Sequence, residues 1–250
     1  ISLDGALRYI PFTALHDGQT YLVEHYALGL HTAAGGQSIE QPRASWQLAG
    51  FGVTRAIGNY SALPGVGNEL RGIIGSQGIA GQALFDQEFT AEALRNALTK
   101  QYSVIHLASH FQFTPGNESD SFLLLGDGKH LSLRELRESE YRFDHLDLLT
   151  LSACETAMFG GREADGREVD GFGALAQRKG AKGVLATLWP IADDSTAQLM
   201  QSFYRIRERQ GLSKAEALRQ AQLELLRGSQ NKSYEHPFYW AAFILMGISP

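Results

Sequence analysis

The feature that most constrains this chain is a set of short apolar runs, several of them near-continuous and not alternating with polar residues. They are Leu7–Phe12, Tyr21–Leu30, Gln47–Val53, Ser103–Ala108, Phe122–Leu125, Leu146–Ser152, Gly183–Trp189 and Trp240–Met246. A strand with one wet face alternates; a strand buried on both faces does not. Between the runs lies helical periodicity. Leu94, Ala97 and Leu98 share a face after Thr90, a candidate N-cap. Thr196, Leu199, Met200, Phe203 and Ile206 line one side of a stretch headed by Asp193, Asp194 and Ser195, which bring a cap and negative charge to its positive end. Ser213 precedes Ala215, Leu218, Ala221 and Leu225, and Gly228 closes that stretch. Strands alternating with helices predict an α/β fold: a largely parallel central sheet flanked by helices on both faces.

Size and charge narrow the class. The 250 residues suit one large α/β domain, 1–250, and can bury a full core. The net charge of −5 argues against a nucleic-acid or anionic-membrane binder, which needs a basic field. The one cysteine, Cys154, excludes an internal disulfide and any multi-cysteine metal site, and it fits a reducing cytoplasm. No apolar run approaches the ~20 residues of a membrane span, and no signal peptide is visible. The start at Ile1 reads as a piece of a longer protein. The stretches 32–42, 114–120 and 159–170 read as loops.

In open α/β sheets, ligands bind beyond the carboxyl ends of the strands. Ser103–Ala108 leads into Ser109-His110-Phe111, and Leu146–Ser152 into Ala153-Cys154-Glu155. If those strands are parallel neighbours, an imidazole and a thiol emerge side by side. That is the minimum for nucleophilic acyl transfer. The alternative is a buried, inert cysteine, the common fate of a free thiol. His106 lies within its strand, roughly 13 Å from His110, and reads as a hydrogen-bonded core histidine. Metal and nucleotide motifs are missing, the glycines at 65, 67 and 72 have the wrong spacing for a dinucleotide loop, and GxSxG is absent around Ser109 and Ser152. No metal and no cofactor are expected. Trp189 and the acids after it, at a third strand end, suggest either a substrate pocket or a capped turn.

These motifs, in this order, resemble the CHAT domain: His110 in HLASHF, Cys154 in LSACETA, then DGFGALAQRKGAKGVLATLWPIAD and the terminal HPFYWAAFILMG. CHAT domains are caspase-like peptidase modules related to separases and often follow tetratricopeptide repeats. The resemblance covers nearly the whole chain. It implies a caspase-like fold, a His110–Cys154 dyad and hydrolysis of peptide bonds in protein substrates. It further implies an oxyanion hole from the backbone N–H groups of Phe111 and Cys154. Substrate-binding candidates are Asp193, Trp189 and Glu155. An upstream repeat region or other partner is the expected regulator. Caspases place Gly after the catalytic His, where Phe111 stands here, and the caspase QACxG sequence is absent, so cleavage after aspartate does not follow. A catalytically silent scaffold module, or an acyl-transfer enzyme acting on small molecules, are the competing readings.

Overall fold

The computed structural model describes residues 1–4, 7–8, 10–32, 45–75, 78–100, 102–114, 117–152, 167–189, 191, 193–228 and 232–247, with backbone alone at 167–170 and 193. Along the chain, the helices are α1 (Leu22–His25), α2 (Gly65–Ile73), α3 (Ala91–Thr99), α4 (Leu133–Glu138), α5 (Arg167–Arg178), α6 (Asp193–Gln210) and α7 (Lys214–Leu226). The strands are β1 (Gln47–Gly52), β2 (Ala80–Phe85), β3 (Val104–Ala108), β4 (Phe111–Gln112), β5 (Phe122–Leu124), β6 (His130–Ser132), β7 (Leu148–Leu151), β8 (Val184–Thr187) and β9 (Phe243–Met246).

Six strands form the central sheet in the order β2-β1-β3-β7-β8-β9, parallel except for β9. The non-alternating runs have the expected cause. Leu48, Val104, Leu148 and Leu185 enter a core with Phe203 of α6 and Leu218 of α7. Their neighbours Ala49, Ile105, Leu149 and Val184 enter a second core with Leu94 of α3 and Leu175 of α5. Each strand therefore feeds two apolar layers, as a doubly covered sheet requires. Gly50 and Gly52 face α2; a Cβ there would come within 2.8 Å of Leu70 and 2.6 Å of Val66, so their bare backbone lets α2 lie close on β1.

The capping signals read for α3 and α7 hold. The Thr90 hydroxyl accepts from the Ala93 N–H at 3.1 Å, and the Ser213 hydroxyl from the Glu216 N–H at 3.2 Å. Gly228 follows α7 at φ +60°, the left-handed closing position. On α6, Leu199, Met200, Phe203 and Ile206 are buried.

Two expected strands are not strands. The described part of 7–12 has exposed Leu7 and Ile10, and a short 3-10 helix begins at Phe12. Residues 21–30 form α1 and then an extended segment in which Leu30 makes an isolated bridge to Met246 of β9. The expected strand 240–246 is extended only over Phe243–Met246. Of the expected loop 159–170, residues 167–170 already belong to α5; 159–166 lie outside the described residues.

A small antiparallel sheet, β4-β5-β6, stands beside the carboxyl end of β3. Ser132 and Glu135 form a reciprocal capping box that starts α4 directly after β6.

Candidate functional site

β3 and β7 are parallel neighbours, with Leu107 opposite Leu151. The chain leaves β3 through Ser109 and His110. Ser109 Oγ donates to the Leu124 carbonyl at 2.6 Å, and the Leu124 N–H donates to the His110 carbonyl at 2.9 Å. These two bonds fix the exit of β3 against β5. The His110 ring is 8% exposed and packs against Tyr60, ring centres 5.2 Å apart. Its Nε2 lies 2.9 Å from the Ser61 carbonyl oxygen. A carbonyl only accepts, so Nε2 carries the proton. In the neutral imidazole, Nδ1 then holds the free lone pair.

The loop carrying Tyr60 and Ser61 is built from local bonds. Ile57 and Tyr60 exchange backbone hydrogen bonds of 3.1 and 2.9 Å. At the root of the loop, Asp86 accepts from the Thr54 N–H at 2.8 Å, the Thr54 hydroxyl at 2.7 Å and the Arg55 N–H at 3.2 Å. Arg55 Nε stands 3.2 Å from the same carboxylate. Partial burial works to raise the Asp86 pKa; the bonds from Thr54 and Arg55 and the guanidinium charge outweigh it, and the net shift is downward.

Phe111 sits in β4 opposite Leu123. Antiparallel rungs alternate between hydrogen-bonded and non-hydrogen-bonded pairs. Since Leu124 bonds to His110, the Phe111–Leu123 rung is of the second kind, and the Phe111 N–H faces away from β5. The Phe111 side chain is buried edge-on against Phe172 of α5, ring centres 5.7 Å apart.

Trp189 lies past the end of β8, which pairs with β7, so it stands two strands over from His110, about 10 Å at ordinary strand spacing. It is half-buried, its Nε1 donates to the Phe238 carbonyl at 3.0 Å, and its ring stacks on Phe238 at 6.4 Å. Asp193 is the first residue of α6, and its side chain lies outside the described residues. Cys154 and Glu155 also lie outside them.

His110, Phe111 and Trp189 thus share the carboxyl edge of the sheet. Sequence reasoning missed Tyr60, Ser61 and Phe238. Ser61 acts through a carbonyl every residue possesses, so no sequence signal marks it. His106 is a core residue as expected, wholly buried and bonded to Tyr204. Two clefts, of about 430 and 630 Å³, lie elsewhere: one between α2 and α6, the other between the loop after β4, α4 and α5. Neither is lined by His110 or Trp189. Cavity volume does not point to this edge; side-chain chemistry does. Among the described residues no cluster of three or more His, Cys, Asp or Glu could hold a metal ion, and no helix is long and apolar enough to cross a membrane.

Comparison with known proteins adds the family. Among solved structures, the fold is similar to the Arg-specific cysteine proteinase gingipain R, with TM-score 0.52 and 10% identity over 80% of this chain and 46% of that one. It is also similar to the complex of the Porphyromonas gingivalis RgpB pro- and mature domains, with TM-score 0.51 and 11% identity over 80% of this chain and 47% of that one. This chain therefore spans about half the length of those chains. A Saccharomyces cerevisiae separase–securin complex also matches, with TM-score 0.49 and 15% identity over 90% of this chain and 12% of that one. No curated protein matches the sequence. At such identities the likeness is one of fold, and the fold is caspase-like. The CHAT domain family model matches residues 1–248, and the chain belongs to the CHAT domain family.

Proposed function

We propose that this chain is a cysteine endopeptidase in which His110 and Cys154 form the catalytic pair. The observation that carries the reading is the anchored imidazole. His110 stands at the carboxyl edge of the sheet with Nε2 committed to the Ser61 carbonyl, which leaves Nδ1 as the base. Counted along the paired strands, Cys154 is the third residue after Leu151, as His110 is the third after Leu107. The kinship of fold with a cysteine proteinase supports the same chemistry.

In this reading His110 Nδ1 takes the Cys154 thiol proton, and the thiolate sulfur bonds to the scissile carbonyl carbon. The carbonyl electron pair moves to oxygen, where the backbone N–H groups of Phe111 and Cys154 receive it. Such a donor is worth about 3 kcal/mol. As the intermediate collapses the C–N bond breaks, and His110 hands its proton to the departing amine. Water, deprotonated by His110, then attacks the thioester, and the C–S bond breaks to free the acid and the thiol. The Trp189–Phe238 stack offers an apolar wall for a substrate side chain, and Asp193 and Glu155 remain the acidic candidates for substrate binding. Residues 1–250 act as one catalytic domain on a protein substrate, in the cytoplasm of a bacterium, under control of upstream tetratricopeptide repeats or a partner.

The test is the alkylation rate of Cys154 against pH, in the wild type and in His110→Ala. The chain has one thiol, so the signal has one source. A thiolate titrating well below the reference value of about 8.5, with the depression lost in His110→Ala, is the expected result. Cys154→Ala is expected to abolish peptide cleavage while the fold persists. A wild-type thiol with an ordinary profile that His110→Ala does not change would sink the dyad and leave a scaffold module.

A further inference from the structure

His106 stands four residues before His110, and Thr150 four residues before Cys154. The β3–β7 ladder places His106 directly opposite Thr150. Both side chains end on one atom of α6, the Tyr204 hydroxyl, 3.1 Å from His106 Nδ1 and 2.7 Å from Thr150 Oγ1. The other ring nitrogen of His106 lies 2.9 Å from a carboxylate oxygen of Glu69 on α2. That oxygen sits off the ring N–H axis, in ion-pair range without a linear hydrogen bond. All four side chains are buried.

Four polar side chains in this layer are costly unless they satisfy one another. Apolar residues of the same volume would hold α2 and α6 on the sheet at least as well. What the polar set adds is direction. A hydroxyl has one proton to give and two lone pairs. Tyr204 meets both neighbours only when β3 and β7 stand on this rung and α6 sits at this height. A slip of one residue would put Leu149 or Leu151 opposite His106 and leave a buried hydroxyl with an unmet partner. Burial pushes the Tyr204 pKa up, so the bridging proton is retained at all ordinary pH.

We propose that Tyr204 is a positioning residue: through His106 and Thr150 it locks β3 and β7 in the register from which His110 and Cys154 act. The inference rests on the dyad reading above. Its test is the same alkylation profile, with thermal unfolding alongside. Tyr204→Phe removes one oxygen and keeps the ring. The expected result is a fall of at least fivefold in the Cys154 alkylation rate at neutral pH, with the titration midpoint moved toward that of an ordinary thiol, in protein that still unfolds cooperatively. Should Tyr204→Phe not fold, Thr150→Val removes the other end of the bridge at nearly constant volume and is expected to move the profile in the same direction. Thr150→Ser, which keeps a hydroxyl, is expected to restore it. A wild type with a depressed, His110-dependent thiol and a folded variant with the same profile and a lower melting temperature would overturn the positioning role alone. A wild type with no such thiol removes the dyad, and the positioning role with it.

Discussion

The two ends of the central strands carry polar groups put to opposite uses. At the amino end, just before β1 and β7, Trp46 Nε1 donates to Asp147 at 2.8 Å, and Lys214 stands 3.5 Å from the other oxygen of that carboxylate. The Arg207 guanidinium lies over the Trp46 ring, 4.1 Å from its centre. Asp147 is 5% exposed and Lys214 2%, so each charge is answered inside the protein. At the carboxyl end, His110 is held through one ring nitrogen by Ser61, the Phe111 N–H faces away from its sheet, and Trp189 and Phe238 are only partly covered. Helices α5 and α6 follow β7 and β8 in the chain, so their positive N-terminal ends face this edge too. The amino end is closed chemically as well as sterically; at the carboxyl end Trp189 and Phe238 stay partly exposed.

The largest effect should come from breaking the closed end. Asp147→Ala removes the carboxylate that faces the Lys214 ammonium and takes the acceptor from the Trp46 N–H. Removing one member of a buried ion pair costs about 3–5 kcal/mol. Burial alone would raise the Asp147 pKa, but Lys214, the Trp46 bond, Lys182 and Arg207 bring it below the ordinary carboxylate value. Its contribution is therefore present above that value and lost as pH falls through the folded one. Chemical denaturation at neutral pH should show the full loss. In whatever fraction remains folded, the Cys154 alkylation profile should match the wild type. A changed thiol profile would mean that the two ends are not separable.

Much of the sheet was legible in the sequence because burial leaves a pattern; the Trp46–Asp147–Lys214 cluster at its amino end was not read. Runs such as Ser103–Ala108 and Gly183–Trp189 carry apolar residues on both faces because helices cover both. The same reasoning misread 7–12 and 21–30, since a short apolar run shows neither that its residues are all buried, as exposed Leu7 and Ile10 demonstrate, nor that a neighbour pairs with it. It passed over β2, an edge strand that is only half-buried and carries Gly81, and over β4 and β6, which are too short to show a period. The glycines of α2 hid a helix because each lowers helix propensity, although β1 and α2 pack closely there. The start of α4 was missed, although Ser132-Leu-Arg-Glu135 is a capping-box sequence. At the carboxyl edge, His110 showed itself by its chemistry and its place after a strand. Its orienting group did not, because a carbonyl has no letter of its own.

A smaller effect should sharpen the contrast at the root of the loop that holds Ser61. Asp86 has φ +49°, which Asn tolerates well, so Asp86→Asn keeps the backbone and one acceptor oxygen and removes only the charge. A loss of about 1 kcal/mol at neutral pH is expected, in the range for a charged acceptor made neutral. The sign with pH follows from the lowered value. The stabilisation is complete above the ordinary carboxylate value of 3.8 and disappears as pH falls through the lower folded value. The stability difference between wild type and variant should be flat from pH 7 to 5 and shrink in acid. Denaturation midpoints across that range check it, and a difference that grows in acid would contradict the assignment.

The smallest expected effect lies at the open end and concerns only binding. Phe238 is 44% exposed and stacks on Trp189, while the Trp189 N–H bonds to the Phe238 carbonyl, which any residue supplies. Phe238→Ala should therefore leave the melting temperature nearly unchanged, as exposed substitutions usually do. It should remove part of the apolar wall beside the proposed pair. If that wall holds a substrate side chain equally before and during bond breaking, KM for a cleaved peptide rises a few-fold and kcat stays constant. An equal fall in kcat and kcat/KM would instead mean that the wall tightens as the bond breaks. Unchanged kinetics would assign the stack to packing alone.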